Sequence, residues 1–184
     1  FGSMGKAVNS QSAFPIKEYL GKRVIFELDA LSKQDKIFFI GLLLQYRHDY
    51  KLAYAQREKL QDVLIIEEAH HLLPKKTIGE DESILETLLR EERELGTGFI
   101  IVDQMASRLS DVAFANTATT IALNQKHKAD ISTVSNAILL SVEDKDALSK
   151  LKIGQAIVRQ QERWPKPFLL QIPHVRIAKG SVSD

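Results

Sequence analysis

Two runs of four consecutive apolar residues constrain this chain more than any other feature: Val63-Leu64-Ile65-Ile66 and Phe99-Ile100-Ile101-Val102. Unbroken apolar runs this short suit strands covered on both faces, as in a parallel sheet. Each run delivers polar residues at its C-terminal end, Glu67-Glu68 after the first and Asp103-Gln104 after the second. In open α/β sheets that end is where ligands bind. The segments around the two runs follow the same alternation. Val24-Ile25-Phe26-Glu27-Leu28 reads as an earlier strand, and residues 32–57 carry Ile37, Ile40, Leu43, Leu44 and Ala53 at helical spacing, with Ser32 as N-cap. Strand, helix and strand together make a βαβ unit.

Residues 74–82 are polar and read as a mobile loop. Asp81 or Ser83 then caps a helix over residues 84–95, with Ile84, Leu85, Leu88, Leu89 and Leu95 on one face and Gly96 just past its end. A helical turn near residues 109–115 leads to a third strand at residues 119–123. Residues 130–139 read as helix, and Ser141 to Asp144 opens another with a capping-box pattern. Residues 155–160 and 168–172 read as two strands joined through Trp164-Pro165. The expected architecture is α/β, a mostly parallel sheet flanked by helices with a small β-rich tail. Gly2-Ser3-Met4 resembles a remnant of tag cleavage, so residues 1–4 are set aside and residues 5–184 are read as one domain.

Composition narrows the function classes. Cysteine is absent, which excludes disulfides, thiolate zinc sites and cysteine nucleophiles. Lys plus Arg is 25 against 24 Asp plus Glu, so no bulk basic surface drives nucleic-acid binding. No apolar run reaches the roughly 18 residues of a membrane helix, and the N-terminus lacks a leader pattern, so a cytoplasmic protein is expected.

Two adjacent carboxylates at a strand end can divide two tasks, one holding Mg²⁺ and the other activating a water. The plainer reading is that Glu67 and Glu68 begin a helix, where acids suit the dipole. His70 and His71 do not form the helical HExxH pattern of a zinc site; one is expected behind the acidic pair and the other in solvent. Gln104 can donate to a phosphate oxygen and accept from water. Arg90 and Arg93 lie opposite the leucines of their helix. Lys75-Lys76 and Lys126-Lys128 sit in loops after strands, where lysines can contact DNA phosphates without reading sequence, or be solvated surface.

Taken in order, several segments resemble the HerA/FtsK superfamily of P-loop ATPases, closest to its HerA-type branch. They are Ile65-Ile66-Glu67-Glu68-Ala69-His70, Arg93-Glu94-Leu95-Gly96-Thr97-Gly98-Phe99, Val102-Asp103-Gln104, Asn116-Thr117-Ala118-Thr119-Thr120-Ile121-Ala122-Leu123, Leu151-Lys152-Ile153-Gly154-Gln155-Ala156-Ile157-Val158 and Pro167-Phe168-Leu169-Leu170-Gln171-Ile172. The resemblance covers about residues 24–172. It implies a RecA-like core from a DNA-translocating motor or helicase that uses ATP and Mg²⁺, assembles as a homo-oligomer, a hexameric ring, and pairs in some systems with a nuclease. It implies that Glu67 holds the metal, Glu68 activates water, Gln104 senses the γ-phosphate and Arg93 reaches the neighbouring subunit's nucleotide.

Two features depart from that pattern. The phosphate loop G-x-x-x-x-G-K-[ST] is not in the chain: neither Gly5-Lys6 nor Gly21-Lys22 fits it. Asn124 and Gln125 stand where many relatives carry an arginine after the third strand. The resemblance therefore implies the C-terminal part of an ATPase core without its first core strand, inactive alone. The strand before the phosphate loop is expected to lie between the Glu67 and Gln104 strands, so its loss leaves them about 9.6 Å apart, or forces them to pair in a rearranged core. The alternative is an ATPase-like assembly module that does not hydrolyse nucleotide. An α/β hydrolase or metal enzyme using Glu67, Glu68 and His70 is the third reading, and it lacks a nucleophile elbow.

Overall fold

The computed structural model describes residues 16–54, 59–77, 79–80 and 82–175. Residues 1–4, Gly5-Lys6, the helix end at Arg57 and the alternative cap Asp81 lie outside them. The chain divides into two compact units. One comprises residues up to 104 with 108–116, and the other residues 105–107 with those from 117 onward.

In the first unit, α1 (Ile16–Tyr19) and α2 (Lys33–Tyr54) precede β1 (Asp62–Ile66), α3 (Ile84–Glu91), β2 (Thr97–Ile101) and α4 (Asp111–Ala115). Ser32 caps α2: its Oγ accepts from the Asp35 N–H at 3.2 Å and donates to the Asp35 carboxylate at 2.8 Å. Residues 24–28, expected as a strand, pair with no strand among the described residues, and Ile25 stands 87% exposed. A β-propensive run without a ladder partner stays irregular.

The expected gap between the two apolar strands is not there. β1 and β2 pair directly and in parallel, from Asp62 opposite Thr97 to Ile66 opposite Ile101. Each strand satisfies its neighbour's backbone, so no slot separates them. One face of this pair carries Leu64, Ile66, Phe99 and Ile101 onto a core of Leu44, Leu72, Leu73, Leu85, Leu88 and Leu89. The other face departs from the two-sided burial expected: Val63, Ile65 and Ile100 are about half exposed or more. Helices of the first unit cover one side of the pair, and no described residue buries the other.

The second half of α2 inverts the expected pattern. Ala53 is exposed, and the buried stripe continues from Leu44 through Arg47, His48 and Lys51. These spacings share one helical face. The Arg47 guanidinium donates to Glu92 at 3.0 Å and Thr97 at 2.9 Å and pairs with Asp62. Lys51 Nζ reaches Asp62 at 2.8 Å and the Thr97 hydroxyl at 2.6 Å. Buried charge persists here because each ion has an opposite partner and further hydrogen bonds. Burial pushes the Asp62 carboxyl up, but Arg47 and Lys51 outweigh it and hold its pKa below the usual carboxylate value.

α3 begins with a full capping box. The Ser83 side chain accepts from the Glu86 N–H, and the Glu86 carboxylate accepts from the Ser83 N–H. After α3 the chain turns at Gly96, whose φ is +76°; an added Cβ there would lie 2.1 Å from the Lys59 carbonyl oxygen. The loop expected to be mobile is anchored at its start. Pro74 bridges Leu109, and the Lys75 N–H donates to the Arg108 carbonyl at 2.6 Å.

The second unit holds β3 (Thr119–Ala122), α5 (Lys128–Ala137), α6 (Ala147–Lys150), β4 (Gln155–Gln160) and β5 (Trp164–Gln171). The three strands form an antiparallel sheet in the order β3-β4-β5. The third strand thus joins the tail instead of extending the parallel pair. Asn124 Nδ2 donates to the Ser149 and Leu151 carbonyls at 3.0 and 2.8 Å, which brings the chain leaving α6 back alongside β3 in the opposite direction. Trp164-Pro165 lies inside β5 instead of linking the strands. Ser141 accepts from the Asp144 N–H, but the helix begins only at Ala147. Among the described residues no helix is long and apolar enough to cross a membrane.

Glu86 yields a pH prediction. Its side chain is 2% exposed. Burial raises its pKa, and the Lys76 ammonium, the Ser110 hydroxyl and the Ser83 N–H and hydroxyl more than reverse that, to about 2 from 4.5. A depressed folded-state pKa adds stability that is full above the unfolded value and is lost as pH falls toward the folded one. Stability should therefore fall between about pH 4.5 and 2, by on the order of 3 kcal/mol from this group. Urea titrations across that range should show a shallower decline for Glu86→Gln, and an unaltered decline would remove Glu86 as a source.

Candidate functional site

The parallel ladder brings the two strand ends side by side. Beyond it, the Val102 N–H donates to the Ile66 carbonyl at 2.9 Å, and the Ala69 N–H donates to the Val102 carbonyl at 3.3 Å. These crossed bonds carry the pairing past both strands and set Glu67-Glu68 against Asp103-Gln104. Glu68 lies in the left-handed region, at φ 49° and ψ 46°. A non-glycine residue there is uncommon and is held only where its surroundings over-determine it. Here the turn that follows is tightly bonded: the 3₁₀ segment Ala69–His71 begins at once, and the His71 N–H donates back to the Glu68 carbonyl at 3.0 Å.

Gln104 Nε2 donates to Glu68 Oε1 at 2.7 Å. The Glu68 side chain remains 45% exposed, so its carboxylate is held by Gln104 yet still reachable from solvent. Asp103, read from sequence only as the start of a loop, is the hidden member of the site. Its carboxylate is 5% exposed and accepts from the His70 backbone N–H at 2.6 Å and from His70 Nδ1 at 2.9 Å. Both bonds end on the same oxygen, Oδ2, and an ionised carboxylate only accepts, which makes Nδ1 the protonated nitrogen. His70 Nδ1 also lies 3.7 Å from Glu68 Oε2. His70 is buried and His71 exposed, with their rings 4.1 Å apart. Glu68, His70 and Asp103 place ligand-type atoms within 4.8 Å of one another; of the three, His70 and Asp103 are hydrogen-bonded to each other, while Glu68 is held by Gln104. A sequence signal for Asp103 existed: an acid directly after one buried strand and a histidine shortly after its neighbour.

Glu67 is exposed and makes no hydrogen bond with the described residues. Its free carboxylate oxygens suit a hard cation such as Mg²⁺, which takes one or two carboxylates and fills the rest of its shell with water and phosphate oxygens. The phosphate-cradling loop is not in this sequence, so the residues present fit the metal-and-water half of a nucleotide site and not the phosphate-binding half.

The other expected site residues lie apart. Arg93 is exposed in the turn after α3 and forms no ion pair with the described residues. Arg90 pairs with Glu82 at 2.6 Å. Lys76 is tied to buried Glu86, and Lys75 lies 3.6 Å from Asp111. Lys126 and Lys128 are exposed in the second unit.

No family profile matches the chain. Its sequence is 29% identical over 147 residues to the DNA double-strand break repair helicase HerA of Sulfolobus acidocaldarius, covering 76% of this chain and 29% of that protein. The chain thus spans less than a third of that relative's length. Its fold resembles the genome packaging NTPase B204 of Sulfolobus turreted icosahedral virus 2. In complex with AMPPCP, that structure matches with a TM-score of 0.65 and 18% identity over 89% of this chain and 73% of the NTPase. Its sulfate complex matches with a TM-score of 0.64 and 17% identity over 89% and 74%. The sequence relative and the shared fold support the HerA/FtsK superfamily of P-loop ATPases.

The Asp103–His70 grip predicts a stability effect. Asp103→Ala leaves a buried N–H and an imidazole N–H without their acceptor, at a cost of about 1–3 kcal/mol each for unpaired buried groups. Urea denaturation at pH 7 should show a midpoint lowered accordingly with an unchanged slope. A loss under about 0.5 kcal/mol would mean the turn holds without Asp103.

Proposed function

We propose that this chain is part of an ATP-driven motor of the HerA/FtsK type, in which hydrolysis in a ring of subunits is coupled to movement along DNA. The observation that carries the reading is the placement of Glu68 and Gln104 at the C-terminal edge of two paired parallel strands, 2.7 Å apart. The likeness to a repair helicase and to a packaging NTPase supports it. The phosphate loop would come from elsewhere in the intact protein, and the chain without it is inactive.

Phosphoryl transfer demands positioning and charge compensation more than covalent chemistry. Glu67 would hold Mg²⁺, which supplies charge compensation at the phosphates when bound. Glu68 takes the proton from the attacking water. Its left-handed backbone turns the carboxylate out of the strand line; Gln104 steadies Oε1, Oε2 lies 3.7 Å from His70 Nδ1, and the side chain as a whole keeps 45% of its surface in water. Gln104 can exchange that bond for one to a phosphate oxygen, since its amide both donates and accepts. Arg93, exposed and without an ion pair among the described residues, would compensate charge on a neighbouring subunit's nucleotide.

In the intact ATPase, Glu68→Gln should retain nucleotide binding and lose roughly 10² or more in turnover, the usual scale for removing a general base. A phosphate-release assay beside a nucleotide-binding titration measures both. Unchanged turnover would take Glu68 out of the mechanism.

Arg93 acting across an interface predicts complementation. Arg93→Ala and Glu68→Gln subunits, each inactive alone, should recover some hydrolysis when co-assembled, because some interfaces then hold both intact residues. Absence of recovery in proven mixed assemblies would assign Arg93 to its own subunit's site or to structure.

A further inference from the structure

The β4–β5 hairpin carries an arrangement that the proposed hydrolytic site does not use. Trp164, Lys166, Phe168 and Leu170 alternate along β5 and line one open cavity of about 810 Å³, with Arg163 at its rim. Trp164 is 50% exposed, a large apolar surface to leave in water. Phe168 meets it edge to face with ring centroids 5.7 Å apart, and the Arg163 guanidinium lies 4.8 Å from the indole centroid. Pro165 and Pro167 flank Lys166 and fix φ on either side, which limits the freedom of the aromatic strand.

The charges are one-sided. Residues 155–171 hold Arg159, Arg163 and Lys166 against the single acid Glu162. Arg159 is spent on backbone, donating to the Pro165 carbonyl at 3.1 Å and the Ala137 carbonyl at 3.4 Å. Arg163 and Lys166 have no ion-pair partner among the described residues. An exposed indole and phenyl ring beside two unpaired cations complement a ligand with flat faces and a negative backbone.

We propose that this hairpin is a contact site for single-stranded nucleic acid. A base stacks on the Trp164 and Phe168 surface, and Arg163 and Lys166 take the adjoining phosphates. Single strands are favoured over duplex because an aromatic platform needs an unstacked base. Binding is sequence-tolerant, because every base presents a π-face and phosphates carry no sequence. The hairpin site rests on the proposed DNA-linked function for its context, and the experiment below distinguishes failure of one from failure of the other.

The chain contains a single tryptophan, so Trp164 reports directly on this site. The full 184-residue chain is titrated with a dT oligonucleotide of about 12 residues while intrinsic fluorescence is followed, and labelled dT is followed by anisotropy in parallel. Saturable quenching is expected, at concentrations that match the anisotropy curve. Trp164→Leu should weaken binding about tenfold or more, the range for a single base–aromatic stack. Arg163→Ala with Lys166→Ala should flatten the slope of log affinity against log salt by about 0.7 for each phosphate no longer neutralised. Circular dichroism on each variant checks folding. Because Arg163 and Lys166 are surface groups, their double variant keeps the test open if Trp164→Leu misfolds. Anisotropy binding without quenching, or unchanged by the double variant, would overturn the hairpin assignment while leaving the DNA-linked function in place. Absence of dT binding overturns it too, and so does quenching by AMP but not by dT, which would make the cavity a mononucleotide site. Failure of Glu68→Gln to affect the intact ATPase would instead strike the hydrolytic reading and leave this one standing.

Discussion

The parallel ladder between β1 and β2 is the interaction on which the rest of the first unit depends. Its register sets Ile66 beside Ile101, so the two chains leave the sheet at the same level. A slip of one residue would turn every side chain to the opposite face. It would also move Gln104 away from Glu68. The crossed hydrogen bonds from Val102 to Ile66 and from Ala69 to Val102 continue the pairing into the turns, and Asp103 secures the result through two bonds to His70. The juxtaposition of Glu68 and Gln104 is therefore a consequence of strand pairing and not of either loop alone.

The two ends of the ladder are treated differently. At the N-terminal end, Asp62 and Thr97 are opposite one another and are gripped from α2 by Arg47 and Lys51. Every charge there is paired; Arg47 and Lys51 are buried, and the Asp62 side chain stays 36% exposed. At the C-terminal end the acids Glu67 and Glu68 remain accessible. Removing one partner of a buried pair leaves an uncompensated charge, which is costly, so the residues of the clamp depend on one another. Accessible carboxylates cost little to keep charged and are free to meet a cation or a water. The fold thus places its buried, mutually paired charges at one end of the strands and its accessible acids at the other.

The second unit follows other rules. Its sheet is antiparallel, and β5 presents aromatic and basic residues to solvent instead of packing them. Lys126 and Lys128 are exposed in the same unit. Acids and Gln104 at the ends of the parallel pair, and outward-facing aromatic and cationic groups in the antiparallel unit, divide the chain chemically as well as by compactness.

Much of this was legible in the sequence. The unbroken runs at residues 63–66 and 99–102 identify strands, and Ser32 and Ser83 mark helix starts, because local sterics and capping chemistry act over a few residues; the helix expected to run to Leu95 and end at Gly96 instead ends at Glu91, and residues 92–96 turn into β2. The acid pair and Gln104 stand out for the same reason: they follow the strands directly. Tertiary structure decided the rest. It paired β1 directly with β2, turned β3 toward the tail, left residues 24–28 without a ladder, and exposed one face of strands whose composition suits burial on both. It buried Arg47, His48 and Lys51 on the face of α2 where sequence periodicity looked for apolar residues, and it committed Lys76 to Glu86. It made Asp103 a buried anchor for His70. None of these follows from local sequence, because strand order and the partner of a buried charge depend on residues far apart in the chain, as the 45 positions between Arg47 and Glu92 and the 33 between His70 and Asp103 show.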